Sequence, residues 1–256
     1  MKNTGNVAFV TGGASGLGEA TVRWFAAAGN KVVICDMNET HGKEIVQEIG
    51  EDRALFVKAN VADEKEMQTA VDTAVEKFGN IHVLVACAGI GSGTKVVGRK
   101  GPHPLEAFKK VIDIDLIGTF NAVRLIADKM QYNEPNEDGE KGVIIMTSSI
   151  AASEGQIGQS AYSAAKGGVN GLVLTCAREF TNIGIRINAI SPGIMGTPQL
   201  LALPEDVKAS LEKSIPFPSR MGKPEEFAQT VDYIISCPIV NGTNIRIDGA
   251  LRMAAR

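Results

Sequence analysis

Three side chains in the middle of the chain have types and spacing suited to acid–base chemistry on an alcohol or a carbonyl group. Tyr162 and Lys166 lie four residues apart in a segment of helical period, so both project from the same face of a helix. A phenol is a poor base at neutral pH, but a neighbouring ammonium favours its ionised form. Ser149 follows an apolar run and can hydrogen-bond the reacting oxygen. The set predicts a general acid and base, Tyr162, supported by Lys166 and Ser149.

A glycine-rich run near the first residues is typical of a dinucleotide phosphate site. Residues 11–18 read TGGASGLG, follow an apolar run and lead directly into an amphipathic segment. Glycines allow a tight turn with positive φ, and the first N–H groups of a helix attract a pyrophosphate. We expect the cofactor to be bound here by Gly12, Ser15, Gly16, Leu17 and Gly18.

The second apolar run ends at an acidic residue, Asp36. A carboxylate at this place accepts hydrogen bonds from the ribose hydroxyls of an adenosine and repels a 2′-phosphate. The adjacent Cys35 and Met37 supply no cation that would reverse this preference. The sequence therefore favours NAD over NADP as the cofactor.

These residues must be positioned by strands and helices that alternate along the chain. Apolar runs predict strands at 7–10, 31–35, 54–58, 83–86, 142–147, 185–190 and 244–247. Helical periodicity predicts helices at 17–28, 39–49, 64–78, 105–130, 162–181 and 224–236. Continuously apolar runs are typical of strands that are covered on both faces. We therefore predict α/β architecture: a single doubly wound Rossmann-type domain over residues 1–256, with about seven parallel strands between two helical layers.

Two segments interrupt this alternation, and each follows a predicted strand. Residues 91–104 are rich in glycine, lysine and proline, and residues 192–218 are rich in proline, with a short helical stretch at 205–213. Ligands of open α/β sheets bind at the carboxyl ends of the strands. We interpret both segments as walls of a substrate site, although plain surface loops are the alternative.

Composition and charge argue against several classes of protein. A net charge of −3 gives no basic surface for nucleic acid, so no nucleic-acid partner is expected. No stretch has the length and apolar purity of a membrane span, so no membrane partner is expected. The four cysteines and three histidines do not cluster, which favours neither a disulfide framework nor a metal site. The residues before the first apolar run lack a signal-peptide pattern, so we expect a cytoplasmic protein, or a mitochondrial matrix protein in a eukaryote.

Taken together, the chain resembles the short-chain dehydrogenase/reductase family from end to end. The matching positions are Thr11, Gly12, Gly16, Gly18, Asp36, Ala88, Gly89, Ser149, Tyr162, Lys166, Pro192, Gly193 and Thr197. The resemblance implies that the tyrosine exchanges a proton with the substrate oxygen, which the serine positions, while the lysine binds the nicotinamide ribose and hydride moves to or from the nicotinamide. It also implies cofactor contacts at Asn60, Val61, Cys87, Gly89, Tyr162, Pro192, Ile194, Met195 and Thr197, with the adenine beside the first two.

Two departures from the family pattern affect this interpretation. The family's Asn-Asn-Ala-Gly stands here as ACAG at residues 86–89, and Asp115 stands where the family has an asparagine. The family role of that asparagine, holding a proton-relay water on its main-chain carbonyl, implies that Asp115 belongs to the catalytic set. An aspartate preserves a main-chain role, but its charge near Lys166 could shift the titration of the catalytic pair.

Within the family, the chain resembles the group of type 2 3-hydroxyacyl-CoA dehydrogenases. The shared segments are 97–105, 133–135, 155–159, 217–220 and 248–253. The resemblance implies NAD-dependent oxidation of a fatty 3-hydroxyacyl-CoA to a 3-oxoacyl-CoA by a homotetramer. The inserted loop would lie beside the acyl-CoA, where Lys95, Arg99 and Lys100 could meet the CoA phosphates.

Other functions remain open on the same residues. A 3-oxoacyl carrier-protein reductase or a hydroxysteroid dehydrogenase would use the same scaffold, although Asp36 counts against a reductase that depends on NADPH. A non-catalytic scaffold or binding subunit is an alternative of another class, which the intact Ser149, Tyr162 and Lys166 disfavour. The helix at 105–130 is apolar around more than one face, which indicates either a subunit contact or coverage by its own domain.

Overall fold

A parallel β-sheet forms the centre of the protein in the computed structural model, which describes residues 1–2, 4–91, 93–99 and 101–255. The strands are β1 (Val7–Thr11), β2 (Lys31–Asp36), β3 (Ala54–Lys58), β4 (Val83–Ala86), β5 (Val97–Gly98), β6 (Gly101–Pro102), β7 (Gly142–Thr147), β8 (Ile185–Pro192) and β9 (Asn244–Ile247). Seven of them pair in parallel in the order β3-β2-β1-β4-β7-β8-β9, and β5 and β6 form a separate small hairpin. The order reverses between β1 and β4, so a crevice forms at their carboxyl ends.

The helices connect these strands and cover the sheet. They are α1 (Gly16–Ala27), α2 (Glu39–Ile49), α3 (Glu64–Phe78), α4 (Leu105–Ile112), α5 (Gly118–Met130), α6 (Ser160–Glu179), α7 (Pro198–Leu201), α8 (Glu205–Lys213) and α9 (Pro224–Ser236). A π-helical turn, Asp113–Ile117, joins α4 to α5, and a short 3₁₀ turn, Ile150–Ala152, follows β7.

Two apolar layers cover the two faces of the sheet. Alternate residues of β1 belong to different layers, since Phe9 packs with α3, α5 and α6 whereas Val10 packs with α1 and α9. Both side chains are fully buried. Coverage of both faces explains why these strands are continuously apolar in sequence.

The structure confirms the predicted fold class, a seven-stranded parallel sheet between helices. It differs from the prediction inside the segment 105–130, where the π-helical turn Asp113–Ile117 interrupts the expected single helix. The segment 91–104, interpreted as a loop, contains the hairpin of β5 and β6. In the part of the chain that the structure describes, no helix combines the length and apolarity that crossing a bilayer requires, and no three His, Cys, Asp or Glu side chains group as metal ligands would.

Candidate active site

The glycine-rich turn lies between the end of β1 and the start of α1. Gly12 and Gly16 have φ values of +65° and +53°, a region that favours glycine. A Cβ on Gly12 would lie 2.8 Å from the backbone nitrogen of Ala88, and a Cβ on Gly18 would collide with the carbonyl oxygen of Gly12. Glycine at these positions therefore makes the turn compact enough for its backbone to approach a pyrophosphate.

The N-terminus of α1 opens directly from this turn. Ser15 is exposed at the N-cap position, its backbone is extended, and within the described chain no side-chain bond from it caps the helix. Leu17 packs into the apolar layer below. The first N–H groups of α1 thus remain available to an anion, which the helix dipole also favours. These residues fit a dinucleotide pyrophosphate.

Asp36 ends β2 beside the same turn. One carboxylate oxygen accepts a hydrogen bond from the Ala14 nitrogen (3.0 Å) and the other from the Asn38 nitrogen (2.9 Å). These bonds fix the carboxylate at the edge of the crevice, where it can meet ribose hydroxyls. The register of β2 and β3 places Lys58 beside Asp36. The residues adjacent to Asp36 in sequence did not reveal this cation. The Lys58 ammonium is paired with Glu39, at 3.3 Å.

Asn60 and Val61 follow β3, the strand that ends next to Asp36. The Asn60 nitrogen donates to a Glu66 oxygen (2.8 Å), and the Val61 carbonyl accepts from the Asn121 amide (2.9 Å). Contacts with α3 and α5 therefore hold this segment at the carboxyl edge of the sheet. The adenine contact that the family resemblance implies at these residues stays a prediction.

Cys87 and Gly89 follow β4, next to the glycine-rich turn. The Cys87 sulfur accepts a hydrogen bond from the Thr147 hydroxyl (3.3 Å), and burial raises the pKa of the Cys87 thiol to about 11. The thiol is therefore a neutral wall of the crevice. A Cβ on Gly89 would lie 3.0 Å from an Asp115 carboxylate oxygen and 3.4 Å from the Lys166 ammonium.

The side chains predicted to be catalytic come from the elements after β7. Ser149 caps the 3₁₀ turn, its hydroxyl accepting from the Ala151 nitrogen at 3.1 Å. Tyr162 and Lys166 lie one turn apart near the start of α6. The buried Lys166 ammonium donates to the Thr147 carbonyl (3.0 Å) and lies 5.6 Å from the centre of the Tyr162 ring. The arrangement places a cation beside the phenol, as the sequence pattern predicts.

Asp115 approaches the same lysine through its side chain. One carboxylate oxygen lies 3.3 Å from the Lys166 ammonium and the other accepts from the Ile90 nitrogen at 2.8 Å. Burial raises the pKa of Asp115, and the Lys166 ammonium opposes that rise. The Asp115 carbonyl accepts the Thr119 hydroxyl at 2.8 Å. The main-chain role that the resemblance implies stays a prediction, and the structure adds a buried ion pair to it.

The segment after β8 closes another side of the crevice. Ile194 packs against Ile150 and Ile215, and Met195 is buried. Pro192 ends β8, and the Thr197 methyl group lies 3.3 Å from where a Cβ on Gly16 would stand. This segment therefore reaches the glycine-rich turn from the opposite side.

The predicted catalytic and cofactor-binding residues thus gather at one edge of the sheet. Lys95 and Arg99 are exposed, and Lys100 lies outside the described residues. Thr147 and Glu66 were missed because they act on other site residues through contacts that no local motif indicates.

Comparison with known proteins supports the same family. Residues 6–208 match the model of the short chain dehydrogenase family. The chain is 49% identical over 249 residues to 3-hydroxyacyl-CoA dehydrogenase type-2 of Drosophila melanogaster, covering 96% of this chain and 97% of the relative.

Solved structures agree with this likeness. The crystal structure of 3-hydroxyacyl-CoA dehydrogenase type-2 from Mycobacterium avium superposes with a TM-score of 0.94 at 41% identity, covering 99% of this chain and 98% of that one. A 3-ketoacyl-(acyl-carrier-protein) reductase from Brucella melitensis, complexed with NADH, superposes with a TM-score of 0.86 at 28% identity, covering 98% and 100%. The site is therefore one for a nicotinamide cofactor.

The Asp115→Asn variant tests the ion pair with Lys166. If Asp115 acts in the proton relay through its main chain, turnover at the optimum stays within about tenfold of the wild type. The variant also removes a negative charge from beside Lys166. We expect the acidic limb of the pH profile of kcat/KM for oxidation to move down by about one unit. Initial rates across the neutral and alkaline range measure both quantities.

Asp113→Asn is the matched control, because Asp113 is exposed in the same turn. Its pH profile should not move. A loss of turnover beyond about a hundredfold in Asp115→Asn would contradict the main-chain role, and an unmoved acidic limb would contradict the electrostatic one.

Proposed function

The chain belongs to the short-chain dehydrogenase family, and we propose that it oxidises 3-hydroxyacyl-CoA thioesters to 3-oxoacyl-CoA thioesters, reversibly, with NAD. One observation carries the proposal: Tyr162 and Lys166 lie one helical turn apart at the same sheet edge as the glycine-rich turn. Relatives named 3-hydroxyacyl-CoA dehydrogenase type-2 align with nearly the whole chain, which supports the substrate class.

The chain's own residues supply the proton chemistry of this reaction. The Ser149 hydroxyl holds the substrate oxygen against Tyr162, whose phenolate accepts the hydroxyl proton during oxidation and returns it during reduction. The Lys166 ammonium stabilises the phenolate and is itself held by Thr147 and Asp115. Bound NAD supplies the hydride acceptor. Apolar contacts around Ile194 and Met195 limit water at the nicotinamide side.

The inserted segment 91–104 provides the wall for the acyl-CoA. Lys95 and Arg99 are exposed there, so their charges are free to reach CoA phosphates. This contact stays a prediction. The likeness to the carrier-protein reductase of Brucella melitensis is lower, at 28% identity against 41% for the Mycobacterium avium enzyme. We therefore favour the CoA thioester over a carrier-protein substrate, and lipid metabolism as the setting.

The Tyr162→Phe variant tests the proposed activity. Wild-type protein should reduce acetoacetyl-CoA, followed by loss of NADH absorbance, faster than a steroid ketone or an acyl carrier protein substrate tested in parallel. Removing the phenolic hydroxyl removes the general acid, so turnover should fall by about a thousandfold. NADH binding should persist, because the glycine-rich turn is unchanged.

Tyr132→Phe is the control, because Tyr132 is an exposed tyrosine that lies outside the site. Its activity should equal that of the wild type. Turnover that survives Tyr162→Phe would overturn the mechanism, and a faster carrier-protein or steroid substrate would overturn the substrate class.

The preference for NAD is proposed from Asp36, and Asp36→Asn tests it. A carboxylate bonded to ribose hydroxyls is worth about 1.5–3 kcal/mol, and it repels a 2′-phosphate. We expect the ratio of kcat/KM for NAD to that for NADP to fall by at least about tenfold. Asp52→Asn, an exposed acid between α2 and β3, is the control. An unchanged ratio would mean that other residues, such as Lys58, determine the preference between NAD and NADP.

The protein is proposed to form a homotetramer through two apolar surfaces on opposite sides of the sheet. The first surface contains Ile117, Phe120 and Leu174, each about half exposed on the side of α5 and α6. The second contains Tyr233 and Ile239, on and after α9, and they are 53% and 90% exposed. Two self-complementary surfaces generate a closed tetramer with two kinds of contact.

Single charged substitutions should divide this tetramer along one contact at a time. Phe120→Glu should leave dimers held by the second surface, and Tyr233→Glu should leave dimers held by the first. The double variant should be monomeric. Light scattering coupled to gel filtration measures the mass, with Tyr132→Glu as the control at an exposed aromatic residue outside both surfaces. A tetramer that persists in the double variant would refute these contacts.

A further inference from the structure

The segment after β9 turns back toward the catalytic residues. Residues 248–255, here called the strap, begin with a tight turn in which the Leu251 nitrogen donates to the Asp248 carbonyl at 3.0 Å. Ala250 has a φ of +66°, a left-handed conformation that is unusual for a residue with a side chain. The Asp248 side chain holds it, accepting a hydrogen bond from the Ala250 nitrogen at 3.0 Å. The turn is therefore fixed in spite of its local cost.

Beyond the turn, the strap runs beside the segment that joins the two catalytic elements. The Met253 nitrogen donates to a Glu154 carboxylate oxygen (3.0 Å), and the Ile157 nitrogen donates to the Ala255 carbonyl (3.0 Å). The Gln156 side chain donates to the Ala254 carbonyl at 3.1 Å. Residues 153–159 are the only covalent connection between the 3₁₀ turn of Ser149 and the helix of Tyr162. The strap thus fixes the segment on which the relative position of these two elements depends.

An ion-pair network reinforces the same contact. Glu154 lies 2.8 Å from the Arg246 guanidinium and 3.5 Å from that of Arg252. Asp248 lies 2.7 Å from Arg246 and 3.4 Å from Arg252. Hydrogen bonding to Arg246 lowers the pKa of Glu154, so its carboxylate stays charged across the working range. Two acids and two guanidiniums alternate, so that Glu154 is tied to β9 as well as to the strap.

Apolar packing joins the strap to one wall of the substrate side. Leu251 and Met253 pack in one cluster with Ile150, next to Ser149, and with Ile194 and Ile215 of the segment after β8. Leu251 is 5% exposed. The strap therefore contacts one wall, residues 192–218, directly.

The strap reaches the other wall, residues 91–104, through the segment 153–159. A Cβ on Gly158 would lie 3.4 Å from the Gly93 carbonyl carbon and 3.7 Å from the Thr94 nitrogen, which places the two backbones in contact. Gly158 has a φ of +95°, so a glycine is needed there. Displacing residues 153–159 would thus move the loop 91–104 as well.

We propose that the strap, through Glu154, is a positioning element for the acyl-thioester side of the site, which sets the affinity for the substrate far more than the affinity for the cofactor, although it also packs against Ile194. This inference rests on the proposed function, since the substrate is the CoA thioester named there. The glycine-rich turn and Asp36 make their contacts elsewhere on the sheet edge, so the two ligands should respond differently to loss of the strap.

Two variants test this positioning role by separate routes. Glu154→Ala removes both ion pairs and the acceptor of the Met253 nitrogen, whereas deletion of residues 253–256 removes the strap's hydrogen bonds to 154–157. Each should raise KM for acetoacetyl-CoA about tenfold, with kcat within about threefold and the NADH dissociation constant within about twofold of the wild type. Because both changes disrupt the same contact between the strap and residues 153–159, their effects should not add. The KM of the double variant should therefore be no higher than that of the more impaired single variant.

Glu48→Ala is the matched control, since Glu48 makes an exposed ion pair with Arg23 remote from the strap. Glu154→Gln is a milder variant in case the alanine variant fails to fold, because it keeps an acceptor for the Met253 nitrogen and loses only the charge. Its KM should rise less than that of Glu154→Ala. An unchanged KM in the variants that fold, or a parallel rise in the NADH dissociation constant, would overturn the positioning role.

Hydrogen exchange separates failure of this inference from failure of the proposed function. If the wild type does not turn over acetoacetyl-CoA, the proposed function fails. The strap's contact with the segment 153–159 is then still tested by the amides of residues 154–158, which should exchange faster in Glu154→Ala than in Glu48→Ala. Equal exchange in the two variants would refute the contact itself.

Discussion

The buried ammonium of Lys166 is the charge around which the rest of the site is arranged. A cation removed from water needs partners that are held in place, and here the Thr147 carbonyl and the Asp115 carboxylate supply them at 3.0 and 3.3 Å. One partner ends a strand and the other lies in a π-helical turn, so α6 cannot move without breaking contacts to both elements. Gly89 completes the arrangement, because a larger side chain would press against the carboxylate. The position of Lys166 beside Tyr162 thus depends on packing between three separate elements.

The cofactor half of the crevice is built mainly from backbone, in contrast to this charged centre. Gly12 and Gly18 permit approaches that any side chain would block, and the start of α1 presents uncapped N–H groups. Such a surface attracts a pyrophosphate without any basic side chain. A chain with a net charge of −3 can therefore bind an anionic dinucleotide. Asp36 adds a carboxylate to this half, held by hydrogen bonds from the Ala14 and Asn38 nitrogens.

Local sequence pattern was enough to predict the sheet, the glycine-rich turn and the pairing of Tyr162 with Lys166, because strand burial and helical spacing both follow from residues that are close in sequence. It could not predict the π-helical turn Asp113–Ile117, since one extra residue in a turn hardly changes the apolar period of a long helix. The family resemblance indicated a charge near Lys166 at Asp115, but not the 3.3 Å contact between the two side chains. Lys58 beside Asp36 was missed for a different reason, because only the register of two parallel strands brings them together.

The substrate half of the site depends on contacts between residues far apart in sequence, which motifs cannot predict. Glu154 and Met253 are 99 positions apart, and their contact depends on a turn in which Ala250 takes an unfavourable conformation. The cofactor half, by contrast, is assembled mostly from local turns at the strand ends. Since the two halves are stabilised by different contacts, the walls that select a substrate can change without disturbing the turn that holds the cofactor. Tyr162, the proposed general acid and base, lies where the halves meet, so that in our proposal the segment between Ser149 and Tyr162 couples the shape of the substrate side to the chemistry.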